Sequence, residues 1–175
     1  MSEPPFSQVI AVAGMARLGQ SFVLNLLPEQ RDAIAPFLGL ASIEALTAKL
    51  TLVPRRNGIV DVAGEVQAKL HQICSVSLEP FPSAVAGVID GRFAPPEKLG
   101  PISKAEVERR LSDEDPPEPL LDGGIDIGQL IVEALALALD AFPRKPGLEM
   151  LVLGDNDLPQ SPFAALAALK KPTLS

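Results

Sequence analysis

At 175 residues and 47% hydrophobic content the chain can bury one core, and no apolar run approaches the roughly 20 residues needed to cross a bilayer. One cysteine and one histidine exclude an internal disulfide and a protein-only zinc site, as expected for a reducing compartment. A net charge of −7 gives a whole-protein field that repels nucleic acid, so any RNA contact must be local or carried by a partner.

The first residues, MSEPPFSQ, carry neither a basic region nor an apolar signal core, so a cytoplasmic location is expected. Residues 6 to 13 and 20 to 27 read as two short strands paired around a Gly14 to Gly19 turn. In the second, Phe22, Leu24 and Leu26 alternate with Ser21, Val23 and Asn25. Pro28 suits a first helical position, Glu29 the positive end of a helix dipole and Gly39 a stop, which predicts a helix over 28 to 38 shortened or kinked by Pro36.

A hairpin follows. Leu46, Ala48, Leu50 and Leu52 alternate with polar residues, as do Val60, Val62, Val66, Ala68 and Leu70. A two-residue Asn57-Gly58 turn would split these apolar sets between faces. A three-residue loop of Arg56, Asn57 and Gly58, with Gly58 left-handed, places Leu52 opposite Val62 and Lys49 opposite Glu65. The same parity continues through Cys74, Val76 and Leu78, after which Pro80 and Pro82 break the strand. A further strand runs from Ala84 to Phe93 with Val85, Ile89 and Phe93 on one side.

The expected fold is α+β: an antiparallel meander or partly closed barrel, with a few helices packed on it and an extended C-terminal tail. Residues 1–94 form the strand-rich half of one domain. Residues 95–124 form an acidic, proline-rich connector with a short helix at about 104 to 111, signalled by the capping-box spacing of Ser103 and Glu106. Residues 125–147 complete the domain with an apolar helix, and 148–175 are a tail with a short terminal helix. In the apolar helix Asp126 is the cap and Gln129 the third position, while Ile127, Leu130, Ile131, Ala134, Leu135 and Ala138 recur at helical spacing. Val132, Leu137 and Leu139 widen that face beyond one stripe, so the helix needs cover on several sides. In the tail Ser161 can cap a helix in which Phe163, Leu166 and Leu169 share a face.

Residues that could carry chemistry are few. Strand spacing puts His71 and Cys74 on opposite faces, and Cys74 falls on the inward parity as a small buried hydrophobe. Glu133 is the only acid inside the apolar helix and reads as its wet edge, with Gln129 and Asp140, ahead of a proton-transfer group. Prolines interrupt the acidic run of Asp113, Glu114, Asp115 and Glu118, so it forms no compact metal cage, and Gly123-Gly124 lacks the spacing of a phosphate loop. No catalytic, cofactor or metal residue is assigned. Arg55 and Arg56 at the hairpin tip, Arg109 and Arg110 in the connector, and Arg144 and Lys145 after the apolar helix are the cations that could hold phosphates if grouped on one face.

The stretches VAGEVQAKLHQICSVSLEPF, DPPEPLLDGGIDIGQLIVEALALALDAFPRKPG and SPFAALAALKK together resemble the YceD family, the large ribosomal RNA subunit accumulation proteins. The matching positions of the second stretch are Asp126, Glu133, Pro143, Arg144, Lys145, Pro146 and Gly147, none with an established catalytic role. Many relatives carry a Cys-x-x-Cys where this chain reads Cys74-Ser75-Val76-Ser77, which removes the case for metal. The resemblance implies a cytoplasmic, non-enzymatic factor that supports accumulation, processing or stability of large-subunit (23S) ribosomal RNA. Its implied partner is that RNA or a ribosomal protein in an assembly particle, with no membrane. The acidic balance favours a cationic ribosomal protein or an assembly intermediate over autonomous RNA binding. The contact residues expected from this reading are Arg144, Lys145, Arg55, Arg56, Phe163 and Leu166. An adaptor unrelated to RNA and a small hydrolytic enzyme are the other classes, and oligomeric state is not encoded in any motif.

Overall fold

The computed structural model describes residues 4–99 and 117–147, and the account below concerns the compact unit that ends at Lys145. The fold is α+β. Strands β2 (Gln20–Asn25), β3 (Ser42–Pro54), β4 (Val60–Ile73), β5 (Pro80–Ala94) and β6 (Glu118–Pro119) form one sheet in that spatial order, antiparallel except for the β5–β6 pair. The order is open, so the meander expectation holds and the barrel does not. Helices α1 (Pro28–Phe37) and α2 (Ile127–Ala138) contribute Ile34, Ile131 and Leu135 to a core shared with Leu46, Leu50 and Val62. The expected short helix at 104 to 111 and the terminal helix lie outside the described residues.

The β3–β4 hairpin has the expected register. Leu52 pairs with Val62 and Lys49 with Glu65, and the Lys49 ammonium lies 3.3 Å from the Glu65 carboxylate. Arg55 donates its backbone N–H to Ile59, which closes the three-residue loop as a 3-10 turn, and Gly58 has φ +74°. α1 also begins and ends as its residues dictate. The Gln30 side chain accepts the Leu27 N–H, Pro28 opens the first turn, and Gly39 follows the end at φ +68°.

Three expectations fail. The first two strands do not pair with each other: β2 pairs with β3, whereas β1 (Val9–Ala11) pairs with β7 (Gly124–Asp126). Two tight turns, closed by Met15 N–H to Val12 and Gly19 N–H to Ala16, carry the chain between the two sheets where one hairpin turn was expected. Secondly, β4 stops at Ile73, and Cys74 to Leu78 form a turn that leaves Val76 and Leu78 exposed. Thirdly, Pro80 and Pro82 begin β5 where a break was expected. The Glu79 carbonyl faces β4 and accepts from Cys74, whereas the even-numbered Ala94 carbonyl faces β6 and accepts from Leu120. Pro80 and Pro82 share the parity of Ala94, so their missing N–H groups fall on the unpaired edge, where no ladder bond is lost. As expected of a helix that is apolar beyond one stripe, α2 buries Ile127, Ile131, Val132, Ala134 and Leu135. Leu137 is 81% exposed, and the helix ends at Ala138.

α2 is anchored at its start. One Asp126 oxygen accepts from Gly128 N (2.9 Å), Gln129 N (3.2 Å) and Gln8 N (2.8 Å), and the other from the Ser7 hydroxyl (2.6 Å). The cap therefore also clasps the N-terminal segment, and Phe6 is buried beside it.

Candidate interaction surfaces

The long β4 strand separates two groups of candidate residues. At its first end lie Arg55 and Arg56 of the hairpin loop; at its last end the Cys74 turn meets Lys145. Fourteen residues of strand set these ends roughly 40 Å apart. Arg55 and Arg56 are therefore not grouped with Arg144 and Lys145. Phe163 and Leu166, like Arg109 and Arg110, lie outside the described residues.

At the hairpin end Asp61 accepts Nε of Arg55 at 2.6 Å and lies 3.4 Å from Nε of Arg92, its cross-strand neighbour. Sequence parity placed Asp61 on the solvent face but gave no hint of this second arginine, which comes from the far end of β5. A 3-10 turn at Pro96–Lys98 then brings the Lys98 ammonium to 3.7 Å from where a Gly58 Cβ would stand. Arg17 occupies the turn before Gly19, whose backbone packs on Leu52 and Val53 at the same end of the sheet.

At the other end Ser75 donates its N–H to Pro143, and the Lys145 ammonium is 3.0 Å from Glu79. The Cys74 side chain is fully buried, as its parity implied. Backbone N–H groups of Lys145 (3.4 Å) and Ser77 (3.5 Å) point at its sulfur. These donors, Lys145 first, lower the thiol from 9.0 to about 6 against the opposing effect of burial. Cys74 thus lies where the expectation placed it, buried, with two backbone donors directed at its sulfur. His71 is partly exposed on the opposite face, with Nδ1 3.1 Å from the Ser42 hydroxyl and 3.6 Å from Glu44.

Beside the Cys74 turn an open groove of about 540 Å³ is lined by Leu38, Leu40, Ile73, Leu78, Leu139 and Pro143, among others. Its ionisable groups are Cys74 and Asp140, and Asp140 caps the Phe142 N–H at 2.9 Å. A smaller recess of about 110 Å³ by the start of α2 gathers Glu118, Asp126 and Glu133. Glu133 is exposed there with Gln129, on the wet edge of the helix, and the Asp126 oxygens are engaged by the cap and the Ser7–Gln8 clasp. Among the described residues no three His, Cys, Asp or Glu side chains are placed to hold a metal ion. No helix among them is long and apolar enough to cross a membrane.

The sequence profile of the family described as large ribosomal RNA subunit accumulation protein YceD matches residues 62–170, more than half of the chain. No curated protein matches the chain. No solved structure matches it.

Proposed function

The chain belongs to the YceD family, and from that membership we propose that it is a cytoplasmic, non-enzymatic factor in ribosome biogenesis. It supports accumulation, processing or stability of large-subunit (23S) ribosomal RNA by binding a ribosomal protein or an assembly intermediate. The observation that carries this reading is the family match, which spans most of β4, all of β5 and α2. The local chemistry supports docking over turnover. The groove by Cys74 is walled by aliphatic side chains, and the carboxylate in it already holds a backbone amide. The proposed contacts with the particle, on its protein or its RNA, are Arg144, Lys145, Arg55 and Arg56 and, further along the chain, Phe163 and Leu166.

Gradient sedimentation of the tagged protein tests the proposal. It should travel with large-subunit precursors, and its depletion should lower large-subunit RNA relative to small-subunit RNA. A protein that stays at the top of the gradient, with an unchanged RNA ratio on depletion, would refute it. Ribonuclease treatment of a pull-down separates partners: ribosomal proteins retained after digestion are bound directly, and those lost are bridged by RNA.

A further inference from the structure

The charge of this protein is sorted along the sheet. On a chain of net −7, the described residues of the hairpin end bring Arg17, Arg55, Arg56, Arg92 and Lys98 around Asp61 and Glu97, with Glu118 beside Phe93 at the sheet edge. Asp90 lies one row inward, opposite Ala63. Asp61 sits between two of the guanidiniums and offsets the repulsion that would otherwise spread them. It engages Arg55 through Nε alone, so the two Nη nitrogens of Arg55 keep their donors for an incoming anion. Arg56, the next residue, makes no hydrogen bond or ion pair among the described residues and is exposed. The turn that carries it is fixed by the Arg55 to Ile59 backbone bond and by left-handed Gly58, so the two side chains leave a rigid tip.

We propose that this hairpin end binds the phosphate backbone of RNA, with Arg55 and Arg56 as principal contacts and Arg17, Arg92 and Lys98 flanking them. The proposal rests on the ribosome-assembly reading for the identity of the particle, and deepens it by naming the RNA-facing surface. Backbone recognition follows from the residue types. The chain has no Trp or Tyr, and Phe93, the aromatic nearest this end of β5, is 6% exposed, so the described residues of this end offer no platform for base stacking. Closely set arginines match phosphate geometry, whereas the other end of the sheet holds its Lys145 on Glu79.

The test is filter binding of the full chain to deproteinised large-subunit ribosomal RNA over a range of salt. Arg55→Gln with Arg56→Gln should weaken binding about ten-fold or more at low salt and reduce the salt slope by about 1.5, as expected for two lost phosphate contacts. Lys49→Gln with Lys69→Gln removes the same charge further along β3 and β4, away from the loop, and should change binding less than about two-fold. Should the hairpin pair lower the thermal midpoint, Arg56→Gln alone gives the same reading at smaller amplitude, because exposed Arg56 makes no hydrogen bond or ion pair among the described residues. Equal losses from the two pairs, or no loss from the hairpin pair, would overturn the assignment. A polyglutamate peptide that binds with the same dependence on Arg55 and Arg56 would make the surface a dock for acidic protein and would equally overturn it. Co-sedimentation keeps the two proposals apart. A parent protein that binds bare RNA through the hairpin but never joins particles leaves this surface standing and removes the assembly role. A hairpin variant that joins particles as the parent does shows the reverse.

Discussion

Gly87→Ala should destabilise the protein although it adds only one methyl group. α2 crosses β5 at this glycine, and a Cβ there would stand 2.7 Å from the Ala134 carbonyl oxygen, 3.0 Å from Ala138 Cβ and 3.1 Å from Val66 Cγ1. The first of these is backbone in the middle of a helix, so the clash is relieved only if α2 retreats by roughly half an ångström from a close-packed core. Overpacking of this kind costs about 1 to 3 kcal/mol. Replacing glycine also restricts the unfolded chain, which returns about 0.4 to 1 kcal/mol. The net effect is a loss of up to roughly 2.6 kcal/mol, or up to about 1 M in urea midpoint for a domain of this size. Gly91→Ala is the internal control. It lies on the same strand and the same face, but its Cβ would meet only Phe93 side-chain carbons, at 3.1 Å and 3.7 Å, and an aromatic ring can tilt. Its midpoint should be unchanged or slightly raised. Urea unfolding followed by far-ultraviolet circular dichroism reads both. Coincident curves for the two variants would refute the claim that the helix is seated on the Gly87 backbone.

Gly58→Val should cost about 1 to 2 kcal/mol, because φ +74° strains a β-branched residue and its Cβ would press on Pro95 Cγ at 3.2 Å; an unchanged denaturant midpoint would remove the left-handed turn from the account. Cys74 should react slowly with a thiol reagent in native buffer and rapidly in denaturant, since the residue is fully buried, and rapid native labelling would contradict that burial. Its thiol is lowered to about 6 from 9.0, so the thiolate is stabilised by the fold: the stabilisation is complete above about pH 9 and lost as pH falls through 6. Thermal midpoints of the parent relative to Cys74→Ala should accordingly rise between pH 6 and 9, and a flat difference would sink the hydrogen-bonded thiolate.

Local structure was legible wherever one short window held the whole argument. The hairpin register follows from parity and loop length between Leu46 and Leu70, and α1 from Pro28, Glu29 and Gly39. What could not be read are pairings across the whole chain. β1 finds β7 more than a hundred residues away, and the Asp126 clasp on Ser7 and Gln8 is invisible to any local pattern, although the capping role of Asp126 was not. The prolines misled for a definable reason: a strand break and an edge strand look the same until the direction of each missing N–H is known. The same limit governs the surface. Arg55 and Arg56 were visible as neighbours in sequence, but Arg92 and Lys98 join them only because β5 returns beside β4.

Net charge is a poor guide to what one end of so long a sheet can bind. At physiological ionic strength the Debye length is about 8 Å, so a carboxylate at the Cys74 end of β4, roughly 40 Å from the hairpin, lies several screening lengths away. Its potential at Arg55 is reduced to about 1% of the unscreened value or less, and among the described residues what an arriving phosphate meets there is set by Arg55, Arg56, Arg92, Lys98, Asp61, Glu97 and Glu118. The value of −7 still matters at low ionic strength, where screening is weak and the net charge opposes steering toward bare RNA. A surface of this kind is weak on isolated RNA and becomes effective when a second contact holds the protein on the same particle, since the local encounter is then intramolecular. An acidic body with one cationic end is therefore suited to a particle that offers protein and RNA side by side. The family assignment supplies the particle, and the positions of the arginines on β4 and β5 supply the end of the sheet proposed to face its RNA.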